Sequence, residues 1–249
     1  MGKAIGPLAA LAASAVSVAV SLAGCSGDVN GGIPAVGTAD LQADITERFA
    51  QAGERPQSVT CKDPLVGEVG QTARCDVVMS PTNSFAPIAT VKSVDGATID
   101  YELMPALSEE QLAAAVARLV VDAGGQPPSQ VTCLSGLLGR IGEVSQCDVT
   151  SAGITLRRTA EVVSVDGLMM NFDLVPVLTK AEVEGSLLDE LARHLGSRPE
   201  KATCSGDLEG KPGNTVDCTV VAGPESAAFV LTVTSVDGTN IDYSYAPRG

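Results

Sequence analysis

Tryptophan is absent from this chain of 249 residues, histidine occurs once, and aromatic side chains make up only 3% of the whole. A protein that encloses a large apolar ligand lines its cavity with aromatic and aliphatic groups, so a lipid carrier is a poor fit. With His194 as the sole imidazole, nucleophile–base pairs and histidine-rich metal sites have almost nothing to build on. Basic residues are scarce too: 16 Lys and Arg face 30 Asp and Glu, a net charge of −14, and no basic block occurs. Nucleic acid is therefore not an expected partner, because phosphate contacts require clustered Lys and Arg. The acidity is spread along the chain, as on a solvated surface, and is not gathered into a tail.

Long apolar stretches are confined to the N-terminus. Residues 1–24 carry Lys3 as their only charge, followed by "PLAALAASAVSVAVSLAG", and read as an export signal absent from the mature protein. The run ends in Leu22-Ala23-Gly24-Cys25, which resembles the lipobox of bacterial lipoproteins. That resemblance implies cleavage before Cys25 and acylation of it. The expected location is the extracytoplasmic face of the cell membrane, with residues 25–36 as lipidated cysteine and linker. Each buried acyl methylene contributes about 0.8 kcal/mol, so two or three chains hold firmly.

The other six cysteines fall into pairs of one spacing, Cys61/Cys75, Cys133/Cys147 and Cys204/Cys218. In an exported chain this is a disulfide framework, each pair closing within its own repeat. A zinc site would want Cys-x-x-Cys or histidine partners, so neither metal nor cofactor is expected.

The chain repeats itself three times, over 37–105, 106–176 and 177–249. "SVDG" recurs at one interval, Ser93 to Gly96, Ser164 to Gly167 and Ser235 to Gly238, and each repeat closes on a proline, Pro105, Pro176 and Pro247. Between the cysteines, "GEVGQTARC", "GRIGEVSQC" and "GKPGNTVDC" share Gly-x-x-Gly. The first repeat is shifted by one residue before its first cysteine and recovers after its second, which marks two loops of tolerant length.

Each repeat opens with a helix. Leu41, Ile45 and Phe49 align with Leu112, Val116 and Val120 and with Val183, Leu187 and Leu191, an i, i+4, i+8 stripe with one buried face. Ser108 with Gln111 and Thr179 with Glu182 form capping boxes. Downstream the period becomes two, in "TIDYEL", "LMMNFDL" and "NIDYSY" and in the stretches before SVDG. The expected fold is α+β: three tandem repeats, each an N-terminal helix packed on a small antiparallel sheet with one internal disulfide. With its own cap, stripe and staple, each repeat reads as semi-independent.

SVDG itself reads as a hairpin turn, with Asp95-Gly96, Asp166-Gly167 and Asp237-Gly238 at its tip. A three-residue loop Val94-Asp95-Gly96 would pair Val91 with Ile99 and keep Lys92 off the apolar face. Calcium would need several closely spaced oxygen ligands, and one carboxylate does not supply them.

No catalytic residue emerges. His194 aligns with Ala123 and Ala52, so a base would occur in one repeat of three, and nothing selects a working pair among the many carboxylates. The succession of helix, "VTC", glycine loop, second cysteine and "SVDG" resembles the domain of unknown function 4333, found in exported proteins and lipoproteins of actinobacteria. The resemblance covers nearly all of residues 37–247, with Ala202 where the other copies have Val59 and Val131. It implies location and architecture and supplies no activity. The expected function is non-catalytic: a lipid-anchored binding or scaffold protein that meets an envelope protein or polymer. The alternative is an inhibitor of a secreted or envelope enzyme.

Overall fold

The structure, a computed structural model, describes residues 33–81 and 83–248. Its three helices stand where the stripes and caps place them. Helix α1 (Thr38–Gln51) follows Gly37 and buries Leu41, Ile45 and Phe49. Helix α2 (Glu109–Asp122) starts at Ser108, whose hydroxyl accepts from the Gln111 amide while the Gln111 side chain accepts from the Ser108 N–H. Thr179 and Glu182 make the same exchange at α3 (Lys180–Leu195), which ends on Gly196 in the left-handed region.

The first unit contains β1 (Ala35–Val36), β2 (Ser58–Cys61), β3 (Leu65–Val66), β4 (Thr72–Ser80), β5 (Asn83–Phe85), β6 (Ile88–Asp95) and β7 (Thr98–Met104). The second contains β8 (Ala106–Leu107), β9 (Gln130–Cys133), β10 (Leu137–Leu138), β11 (Val144–Ser151), β12 (Ile154–Asp166) and β13 (Met169–Leu178). The third adds β14 (Lys201–Cys204), β15 (Leu208–Glu209), β16 (Thr215–Ala222), β17 (Glu225–Asp237) and β18 (Asn240–Pro247). All described pairings are antiparallel, in the orders β2-β4-β6-β7, β9-β11-β12-β13 and β14-β16-β17-β18, with each helix lying against the first strand of its sheet. Among the described residues the fold is thus mixed α and β, with three helices and antiparallel sheets.

Two expectations about register are corrected. The hairpins close through two-residue turns, Gly96-Ala97, Gly167-Leu168 and Gly238-Thr239, and Asp95, Asp166 and Asp237 are the last strand residues before them. Val94 pairs with Ile99, and Val91 with Tyr101, because Lys92 is bulged out of the ladder. The bulge resets the period, so Val91 and Val94 both face the core without a longer loop. Glycine with φ near +58° at the first turn position (59°, 57°, 57°) is what a type II′ hairpin requires. The second correction concerns the residue that the first repeat recovers after its second cysteine. It forms no loop; it lies in β4, as the bulge at Met79 between Val78 and Ser80.

The units are coupled unequally. One continuous apolar cluster runs from Leu41 and Phe49 through Phe85, Leu107 and Leu112 to Val162 and Met170, and so joins the first two units. The third unit has its own cluster around Val183, Leu187, Leu208 and Leu231. Chain continuity couples them further: β13 passes without a break across the 176/177 boundary, and its last two residues pair with β15 of the third unit. β12 also runs unbroken where the first unit has two strands, β5 and β6, parted at Pro87, which lacks a donor.

Candidate binding surface

The repeated landmarks meet in space. Gly67 donates to the carbonyl of Pro34, Gly139 to that of Pro105 and Gly210 to that of Pro176, at 2.7, 2.7 and 2.8 Å. A Cβ on Gly139 would lie 2.3 Å from Pro105 Cγ and 2.6 Å from its carbonyl oxygen, so only glycine fits against the proline. The second glycine of each motif, Gly70, Gly142 or Gly213, has φ between 84° and 92° and donates to the strand residue before the hairpin bulge, Val91, Val162 or Val233. Gly-x-x-Gly therefore tethers the SVDG hairpin to the incoming proline strand. Pro105 and Pro176 therefore serve the unit after the one they were expected to close, whereas Pro247 pairs with Phe229 of its own unit.

Helix and sheet are also joined by a polar pair that sequence reading missed. Tyr101 donates to Asp44 at 2.8 Å, and Tyr243 bonds Ser186 at 2.7 Å. Burial together with the Asp44 carboxylate raises the Tyr101 pKa, which keeps its hydroxyl protonated. At the equivalent places the middle unit has Phe172 and Ala115, hydroxyl and partner both gone. Phe172→Tyr is therefore expected to cost about 1 kcal/mol in denaturant melts, by leaving a hydroxyl without its acceptor, and Ala115→Ser in the same chain to recover most of it. Additive effects of the two changes would disprove the pairing.

The two junctions differ in chemistry. Between the second and third units, Arg157 binds Asp148 at 2.9 Å and Asp207 at 3.2 Å, Asp207 also accepts from the Lys180 amide, and buried Thr159 donates to Glu209 at 3.0 Å. The hydrogen bond that Arg157 donates to Asp148 raises the Arg157 pKa above its ordinary value. Between the first and second units those positions hold Ala86, Gly136, Ile88 and Leu138, and the contact is apolar.

Of the residues singled out from sequence, Cys25 lies outside the described residues. The other six cysteines are joined as Cys61–Cys75, Cys133–Cys147 and Cys204–Cys218, each pair directly opposed on neighbouring strands. Asp95, Asp166 and Asp237 are exposed at the hairpin ends. Ser164 and Ser235 bond across the strands to Asn171 and Asp242, at 3.0 and 2.8 Å. His194 is exposed on α3 beside Glu190. Among the described residues no group of three or more His, Cys, Asp or Glu is placed to hold a metal ion, and no helix is long and apolar enough to cross a membrane.

Exposed apolar side chains are distributed unevenly. Of the eleven large hydrophobics on the described surface, seven belong to the middle unit: Val121, Leu134, Ile141, Val144, Ile154, Leu156 and Val163. Scattered exposed aliphatics need no explanation, but concentration in one unit of three does.

The family described as Domain of unknown function (DUF4333) matches residues 20–96 and 168–238, more than half of the chain. The chain belongs to the DUF4333 family. Both DUF4333 matches end at the hairpin glycine, Gly96 or Gly238, and the second begins at Leu168, one turn earlier. In this phase Pro34 and Gly67 fall in one match and Pro176 and Gly210 in the other, so each match contains both halves of the proline–glycine contact. No curated protein and no solved structure matches the chain.

Proposed function

We propose that the protein is a lipid-anchored, extracytoplasmic binding protein of the cell envelope without a catalytic role, built from three DUF4333 copies of which residues 97–167 are the middle one. Those residues equal the second match in length and carry the same succession of proline strand, helix, paired cysteines and hairpin. The single observation behind the binding role is the concentration of exposed aliphatics in the middle unit. Tandem units give such a surface a fixed frame, and a lipid on Cys25 would hold it at the membrane.

Acyl labelling tests the anchor. In cells fed a labelled fatty acid, the protein is expected to carry label and to float with membranes, and Cys25→Ala to lose both. Label retained by the variant would refute the anchor.

A further inference from the structure

We propose that the outer sheet face of the middle unit is a docking surface for a polypeptide that presents an apolar anchor flanked by Lys or Arg. The proposal rests on the binding-protein reading and adds the place and the partner's chemistry. Ser145, Cys147 and Val149 of β11 are buried on the core side of the sheet, so Val144 and Gln146 face the other way. Leu134 donates its amide to Gln146 and stands diagonal to Val144 on that face. Val162 and Val165 pack into the core, so the bulged Val163 between them points outward too. Ile141 tops the adjoining glycine loop, which is bonded to Val162 through Gly142. The four are 70%, 73%, 49% and 45% exposed for Leu134, Ile141, Val144 and Val163.

The other units put polar groups at most of these places. Leu134 is matched by Lys62 and Ser205, Val144 by Thr72 and Thr215, and Val163 by Lys92 and Thr234. The fold thus tolerates polar residues here, and packing does not explain the aliphatics. Charge sets the partner. Glu161 stands directly opposite Val144 on one side and Asp173 on the other. In the third unit Thr232 and Ser244 occupy the two acidic places. Lys211 pairs with Glu161, while Asp173 has no ion-pair partner among the described residues. Opposed like charges are unfavourable, and an incoming basic group would relieve them. The net charge of −14 opposes a second copy as occupant.

The test is selection of a displayed random-peptide library on the immobilised whole protein, followed by rebinding to a variant carrying Leu134→Ser, Val144→Thr and Val163→Thr. These are the third unit's own residues, so the variant is expected to melt like the parent. Selected peptides are expected to combine an aliphatic or aromatic residue with Lys or Arg, to bind at least tenfold more weakly to the variant, and to weaken with added salt. Peptides that lack basic residues, or that bind the variant equally, would overturn this surface while leaving the protein a binder through another face. A library that yields no binder would overturn both readings. Sedimentation of the whole protein should show a monomer; a dimer dissociated by the triple change would make a second copy the occupant and refute the basic partner.

Discussion

Gly139→Ala is expected to destabilise the first two units together by about 3 kcal/mol, as overpacking against a proline that cannot yield plus the loss of one buried hydrogen bond. The added Cβ would meet both the ring and the carbonyl oxygen of Pro105, and the Gly139–Pro105 bond would have to lengthen. Because the first and second units share one cluster, the damage should reach Phe49 and Phe85, not stop at the junction. Calorimetry checks this: the main transition should fall by several degrees while a transition belonging to the third unit, with its separate core, stays in place. Gly206→Ala is the control, since its Cβ would meet nothing within 4 Å. Equal effects of the two changes would mean that the proline contact does not hold the units together.

Replacing Cys133 and Cys147 by alanine should cost about 3 kcal/mol from loop closure alone, the chain-entropy value for a loop of about 15 residues. Both cysteines are almost wholly buried in the shared cluster, so lost packing adds to the cost. Urea unfolding of parent and variant measures the difference as a lower midpoint at similar slope. Reduction of all three bonds should loosen the third unit at the lowest denaturant concentration. Its cluster is the smaller, and its junction to the second unit is ionic and polar where the other is apolar. A reduced protein with an unchanged midpoint would show that the cross-strand pairs contribute little. Peptide mapping of the oxidised protein should return only the three within-unit pairs.

The local elements were legible because their signals are local. A capping box needs four consecutive residues, and Ser108 with Gln111 states its helix start without reference to anything distant. The buried stripes follow from 3.6-residue periodicity, and the cysteine pairs from a spacing that occurs three times. The candidate surface was not legible in this way. Val144 and Val163 sit on two strands and Leu134 just after a third, and their coincidence on one face depends on ladder register and on the bulge at Val163. The sequence comparison among units held one usable signal, the change from Lys, Ser and Thr to Leu and Val at those positions.

The hairpin shows the limit of register arguments. Alternation alone cannot distinguish a three-residue loop from a two-residue turn followed by a bulge, since both bring Val91 to the core side. Only the completed sheet shows that Lys92 leaves the ladder while Gly142 and its counterparts grip the strand beside the bulge.

By itself the sequence determined the threefold period, the helices with their buried faces, the pairing of the cysteines and the acidic, ring-poor character of the chain. Each of these is set within a few turns of chain or by strict repetition. Only the tertiary structure decided that Pro105 and Pro176 belong to the unit after them, that the first two units share a core, and that the middle unit turns its aliphatics outward. Those features depend on contacts between residues distant in the chain, where one missing Cβ, one bulge or one bridging guanidinium selects among arrangements that local propensity leaves equal.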